Sequence, residues 1–481
     1  MQMNDKLSVF KKNMKGAKIA VIGVGISNRP LIRYIYSLGA QVTAFDALPY
    51  DDNVLKKTME DFASEGIHIE WSCGTNYLDI LKDGCFAYIF KTPKMRSDHP
   101  ALQEAISRGS ILTSEMEIFM ELCPAKIFAV TGSDGKTTTT TLISLILRHA
   151  GYKVYVGGNI GTPLLDQIDS IQPDSMVVLE LSSFQLLSMR KSADVAVITN
   201  VTPNHLDFHK DYQEYIASKM NLFLYQSFQG RLVLNGDNAI TNAMHMLARG
   251  NRSYFSWDKD VTLNASDDKL IDHAYVNDGI IEVISNSHVT KICKTSDILI
   301  PGKHNVENYL AAICAVLPYV DVSDITDVAR KFTGVEHRIE LVRTLDDVRY
   351  FNSSIDTSPN RTINTMNALQ GRGEHGVLIA GGADKKCNYD GLGTAILAVC
   401  DRIVLYGDNA ELIIHVLQKE ANGQKYCVFQ ADNYKEALQI AREQANAGEI
   451  IILSPTGTSY DHFRHFEERG NLFKDLVMQL T

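Results

Sequence analysis

Short apolar runs of four to six residues alternate along the 481-residue chain with longer segments whose apolar positions recur at helical spacing. A strand buried on both faces reads as a continuous apolar run, and a helix covering it reads with a period of about 3.6. The alternation therefore restricts the chain to parallel sheets covered by helices, an α/β fold. Lys18-Ile19-Ala20-Val21-Ile22 reads as a first strand, Pro30 to Leu38 as a helix and Gln41-Val42-Thr43-Ala44-Phe45 as a second strand. A second opening of this kind lies at Ile127-Phe128-Ala129-Val130, where a strand runs into a glycine-rich turn and a helix from Thr137 to His149. Strands at Ser175 to Leu179, Val195 to Thr199 and Arg231 to Leu234 extend it, each ending in polar residues, and ligands of such sheets gather at those ends. Between about Asn251 and Ile300 helical period is lost and Asn277-Asp278-Gly279 signals a tight turn, so this stretch reads as hairpins forming an antiparallel appendage. A third α/β pattern runs from Arg349, with strands near Val377 to Ala380, Arg402 to Tyr406 and Ile450 to Leu453.

One core rarely organises more than about 200 residues, so about three domains are expected. They divide at 1–112, 113–333 and 334–481: an N-terminal Rossmann-like domain, a central P-loop ATPase-like parallel sheet with the antiparallel appendage, and a C-terminal Rossmann-like domain. A formal net charge of -10 disfavours binding to a nucleic acid polymer, which needs clustered Lys and Arg. The eight cysteines are scattered without a CxxC pair, as expected of reduced thiols and not of a disulfide framework or zinc site. Met1 to Lys15 is polar and lacks the apolar region of a secretory signal, and no uncharged apolar run approaches the ~20 residues of a membrane span. A soluble cytoplasmic protein is the expectation.

Two turns and three strand ends carry the chemistry. Gly23-Val24-Gly25-Ile26-Ser27-Asn28 follows a strand and opens a helix, with Asp46 ending the next strand. This resembles a dinucleotide fingerprint in which Asn28 replaces the third glycine; a nicotinamide, another nucleotide or diphosphate, or a purely structural turn would each fit. The second turn, Thr131-Gly132-Ser133-Asp134-Gly135-Lys136-Thr137-Thr138, has glycines that free backbone N–H groups for phosphate, a lysine cation and a hydroxyl suited to a metal. Val130 stands where the leading glycine of the strict Walker motif would be. Glu180 follows an apolar strand in Glu180-Leu181-Ser182-Ser183-Phe184-Gln185-Leu186, where it faces the same crevice and suits Mg²⁺; alone it would read as a surface cap. His205 occupies another strand-end loop as either a metal ligand or a hydrogen-bonded loop residue. Lys219 lies in a helical stretch, and local sequence alone makes it a solvated surface lysine.

Taken together, the glycine-rich loop at 131–138, Asn159, Glu180, His205, Lys219, Asn305 with Asn308, and His337-Arg338 resemble the Mur ligase family of ATP-dependent amide-forming enzymes, in register over most of the chain. Within it, the Glu180 run and the ending from Leu453-Ser454-Pro455 to Phe466-Glu467-Glu468-Arg469-Gly470 are similar to the member that adds D-glutamate to UDP-N-acetylmuramoyl-L-alanine in peptidoglycan precursor synthesis. That resemblance implies a UDP-sugar site at Gly25, Ile26, Ser27 and Asp46, with Asn159 and His205 near the muramoyl-alanine end. It implies ATP held by Gly132, Ser133, Asp134, Gly135, Lys136, Thr137, Thr138, Asn305 and Arg338, and two Mg²⁺ ions supported by Thr137, Glu180, His205 and a carbamate on Lys219. The catalytic set would be Lys136, Glu180, His205 and Lys219; Thr357, Lys385, Ser459 and Phe466 would line the D-glutamate pocket, in a chain acting as a monomer. Asn352-Ser353-Ser354-Ile355-Asp356-Thr357 departs from the family's usual Asn-Asp-Ser-Lys-Ala-Thr, placing Ser353 and Ile355 where an acid and a base are common. A folylpolyglutamate synthetase shares the ATP apparatus but lacks a UDP-binding first domain, and residues 18–112 argue against it.

Overall fold

A computed structural model describes residues 5–25, 27–206, 208–260, 270–285, 287–300, 302–384, 388–459, 463 and 465–480. Contacts divide the chain into two compact units, 1–298 with 303–330 and 299–302 with 331–481.

The first unit carries two sheets. β1 (Lys18–Ile22), β2 (Gln41–Asp46), β3 (Glu70–Cys73), β4 (Tyr88–Lys91) and β5 (Ile111–Thr113) pair in parallel in the order β3-β2-β1-β4-β5. Strand order reverses between β1 and β4, which opens a crevice at their carboxyl ends beside Gly23. The helix Asn28–Ser37 presents Leu31, Ile32 and Ile35 to the sheet, all nearly inaccessible to solvent. Ser114 caps the helix Glu115–Leu122, whose Met116 and Phe119 join one apolar core with Val21 of the first sheet and Ile127 of the second.

The second sheet comprises β6 (Lys126–Thr131), β7 (Val154–Gly158), β8 (Met176–Glu180), β9 (Val195–Ile198), β10 (Arg231–Asn235), β11 (Asn251–Phe255), β12 (Leu270–Asn277), β13 (Ile280–Ser285) and β14 (His288–Lys294). Their order is β14-β13-β12-β11-β10-β9-β6-β8-β7. The strand ending in the glycine-rich turn thus lies between the strands that deliver Glu180 and the 199–205 loop. The expected antiparallel appendage is corrected in part: β11 pairs in parallel with β10, and β12 in parallel with β11, so the main sheet simply continues. Only β12, β13 and β14 form the antiparallel meander, joined first by Asp278-Gly279 with φ of 48° and 73°. Those two left-handed residues make the tight hairpin turn that matches strand twist.

The second unit holds β15 (Glu340–Leu345), β16 (Val348–Asn352), β17 (Gly376–Gly381), β18 (Cys400–Tyr406), β19 (Cys427–Gln430) and β20 (Ile450–Leu453) in the order β15-β16-β20-β17-β18-β19. All neighbours are parallel except β15 with β16. Apolar layers cover both faces, one including Leu378, Ile403 and Ile452, the other Val377, Val404 and Phe473. Among the described residues no helix is long and apolar enough to cross a membrane.

Candidate active site

The glycine-rich turn leaves β6 and enters the helix Lys136–His149, whose first-turn N–H groups have no partners within the helix. Gly132 has φ of 153°, and a Cβ there would fall 1.9 Å from Thr199 Oγ1, so both conformation and space require glycine. The loop is tied to the end of β9: Ser133 N–H donates to Asn200 O at 2.9 Å, Asp134 N–H to Asn200 Oδ1 at 2.9 Å and Thr199 Oγ1 to Asp134 O at 2.5 Å. Lys136 Nζ donates to the Gly132 and Ser133 carbonyls at 3.1 and 2.9 Å, which holds its charge over the loop. The Asn308 amide lies against the same turn, accepting from Thr139 Oγ1 at 3.3 Å and donating to Asn305 Oδ1 at 3.3 Å. Asn305 and Asn308 both project from the helix Lys303–Val316 and are buried.

Glu180 ends β8 and is only 1% exposed. Asn159 donates to it twice, from its side-chain Nδ2 to Oε1 at 2.8 Å and from its backbone N to the Glu180 carbonyl at 2.7 Å. Glu180 Oε2 is buried without a hydrogen-bond partner among the described residues. An unsatisfied buried carboxylate oxygen is costly unless something completes it, so this atom fits a cation. Among the described residues no three His, Cys, Asp or Glu side chains converge as a metal cluster. A metal bound here would therefore draw ligands from hydroxyl, phosphate or modified groups as well.

Lys219 corrects the surface-lysine reading from local sequence. It is 1% exposed, its Nζ donates to Gly132 O at 2.7 Å and lies 4.5 Å from the Tyr215 ring centroid. Burial, helped by the nearby Lys136 charge and opposed by Asp134, pushes its ammonium well below the usual lysine range and favours the neutral amine. Tyr215, one helical turn earlier in Tyr212–Met220, shares a hydrogen bond of 2.9 Å with Ser133 Oγ. The i, i+4 spacing of Tyr215 and Lys219 puts both on one face of that helix. His205 stands exposed on a turn with φ of 55°, its ring 4.9 Å from Phe184 and 6.4 Å from Tyr215. His209, not singled out by sequence, is buried with Nε2 3.0 Å from Ser183 Oγ, and burial lowers its pKa.

At the first sheet, Asp46 accepts from Val24 N at 2.9 Å and Leu48 N at 3.0 Å, so the carboxylate braces the turn. Asn28 explains the missing third glycine: its Nδ2 donates to Ile22 O at 3.1 Å and Gly23 O at 2.7 Å, pinning the helix start to the strand end. Gly25 and Ser27 are exposed beside them, while Ile26 lies outside the described residues.

In the second unit, Arg338 is exposed between His337 and Ile339, whose φ values of 64° and 47° are rare outside glycine. Such strain clusters at functional sites. Asp356 is buried, donated to by Ser454 Oγ at 2.7 Å, and burial raises its pKa. Thr357 is half-buried, Ser459 buried, and Phe466 begins the helix Phe466–Gln479 with its ring 5.9 Å from that of His337. Lys385 lies outside the described residues.

The description "Mur ligase middle domain" matches residues 130–316, and "Mur ligase, glutamate ligase domain" matches residues 337–457. UDP-N-acetylmuramoylalanine–D-glutamate ligase of Acetivibrio thermocellus is 50% identical over 99% of each chain. The enzyme of that name from Ruminiclostridium cellulolyticum is 46% identical over 99% of this chain and 100% of that one. The solved UDP-N-acetylmuramate-alanine ligase of Thermotoga maritima covers 96% of this chain and 100% of its own, with a TM-score of 0.52 at 18% identity, a likeness of fold.

Proposed function

Because the chain belongs to the Mur ligase family, we propose that it is an ATP-dependent ligase joining D-glutamate to UDP-N-acetylmuramoyl-L-alanine in peptidoglycan precursor synthesis. The observation that carries the reading is identity along the full chain with ligases of that name, together with a glycine-rich loop, Glu180 and Lys219 gathered at one end of one sheet. We read it as a monomer in the cytoplasm, with three functional regions at 1–112, 113–333 and 334–481. The outer two are read as Rossmann-like and the central one as P-loop ATPase-like.

A carboxylate has no adequate leaving group, so the alanine carboxylate oxygen attacks the γ-phosphorus of ATP and ADP departs, leaving an acyl phosphate. The D-glutamate amine then attacks that carbonyl carbon, gives up a proton, and phosphate leaves as the amide forms. In this reading Gly132, Ser133, Asp134, Gly135, Lys136, Thr137 and Thr138 form the loop that holds the nucleotide phosphates, shaped by the Ser133 and Asp134 N–H bonds to Asn200, and Lys136 exchanges its two loop carbonyls for the transferring phosphoryl group. Asn305 and Arg338 bind adenosine; Gly25, Ile26, Ser27 and Asp46 bind the UDP end, with Asn159 and His205 toward the alanine. Thr137, Glu180, His205 and a carbamate on Lys219 would hold two Mg²⁺ ions, which supply charge neutralisation. A neutral amine is the form that adds CO₂, and the depressed pKa of Lys219 supports that modification. Thr357, Lys385, Ser459 and Phe466 bind D-glutamate.

Phosphate release, measured with a panel of UDP-muramoyl substrates and amino acids, tests the reading. Release should require ATP, UDP-N-acetylmuramoyl-L-alanine and D-glutamate together; a preference for lysine or diaminopimelate would overturn it.

A further inference from the structure

We propose that Arg469 is the positioning residue of the amino-acid pocket, its guanidinium fixing the separate loops that carry the pocket's polar groups. The inference rests on the reading of Thr357, Lys385, Ser459 and Phe466 as D-glutamate-binding residues. Arg469 is 0% exposed and sits in the first turn of the helix that Phe466 begins. Its Nη2 donates to two carbonyls, Ser354 O and Gly457 O, both at 3.1 Å. Ser354 lies on the loop after β16, three residues before Thr357, and Gly457 lies on the loop after β20, two residues before Ser459. Nη1 lies against the loop after β17, where a Cβ on Gly382 would come within 3.1 Å of it, three residues before Lys385. An antiparallel bridge between Ala383 and Thr458 joins two of these loops beside the guanidinium.

One buried side chain therefore touches the stems of three strand-end loops and belongs to the fourth element. Stability alone does not explain an arginine here. A buried cation is costly to desolvate, and an apolar side chain of similar volume would fill the space at least as favourably. The Nε and Nη1 atoms have no hydrogen-bond partner among the described residues, which makes the charge more costly still. What the planar fork supplies is a fixed geometry that ties the Ser354 loop to the Gly457 loop, which the Ala383–Thr458 bridge already joins to the loop after β17, at the place where an amine must be delivered with little freedom.

The test uses the full chain, with Arg469→Lys and Arg469→Met compared with wild type by melting temperature and by KM for each substrate. We expect both variants to raise the D-glutamate KM about ten- to hundredfold, as for loss of hydrogen bonds to a charged group, with the ATP and UDP-sugar KM values within twofold of wild type. In Arg469→Ala, added guanidinium ion should bring the D-glutamate KM back toward wild type. Should that variant fail to fold, the lysine variant decides alone, since it keeps the charge but not the fork. An unchanged D-glutamate KM, or all three constants rising together with a fall in melting temperature, would overturn the inference. If wild type instead prefers another amino acid, the pocket reading fails, and the same comparison made with that amino acid still decides the role of Arg469.

Discussion

Asn159→Ala separates two roles for one side chain. The resemblance places Asn159 toward the UDP-sugar, whereas the structure shows its Nδ2 as donor to Glu180 Oε1 at 2.8 Å, the other carboxylate oxygen being buried and unpartnered. The substitution leaves the backbone bond from Asn159 N to Glu180 O, so β7 and β8 should stay paired. A hydrogen bond to a charged group is worth about 1.5–3 kcal/mol. At 1.4 kcal/mol per decade, kcat/KM should fall roughly ten- to 150-fold. If the lost bond aims Glu180 at a cation, the loss should appear in the Mg²⁺ concentration needed for half-maximal ADP release, with the UDP-sugar KM nearly unchanged. Initial rates over a grid of Mg²⁺ and UDP-sugar concentrations resolve the two. A raised UDP-sugar KM with unchanged Mg²⁺ activation, or activity within twofold of wild type, would refute the positioning of Glu180 by Asn159.

Lys136→Ala should lower kcat at least about a hundredfold with little change in melting temperature, since it removes a charge aimed at developing phosphate charge from a half-buried loop; ADP release with a parallel melting curve checks both. Activity should depend on dissolved CO₂, and Lys219→Ala should be inactive but partly restored by a short carboxylic acid; a fully active variant without additive would remove the carbamate. Burial pushes the pKa of His273 down to about 4, below its ordinary 6.5. Its contribution is thus intact above pH 6.5 and lost as pH falls toward 4, a decline of about 3 kcal/mol at 1.36 kcal/mol per unit. Melting temperature against pH should be flatter in His273→Gln than in wild type.

The strands that were readable are short apolar runs bounded by polar residues, and Ile450–Leu453 matches its expected span residue for residue, whereas Glu70–Cys73 and Glu340–Leu345 mix charged and polar residues with apolar ones and gave no such signal. Glu180 was readable for the same reason, as the first charge after such a run. Lys219 was not, because local sequence shows a lysine on a helix but not that the helix turns it beneath the Gly132 carbonyl, 87 residues earlier. The direction of β11 escaped for a related reason: alternating residues report a half-buried strand, while parallel or antiparallel pairing depends on the connection that precedes it. Asn28 looked like a defect in a fingerprint and proves to be a brace, a role visible only once Ile22 and Gly23 present their carbonyls to it.

The position of β6 within its sheet also governs how the molecule is made. It is the first strand of its sheet to leave the ribosome, yet its neighbours arrive much later: Lys126 pairs with Met176 on one side and Phe128 with Val195 on the other. Contacts this distant along the chain are slow to form, because loop closure must precede any gain from pairing. Until β9 has emerged, β6 can be flanked only by β8 and its other edge stays open, so a truncated product ending before residue 195 exposes an apolar strand edge that favours aggregation.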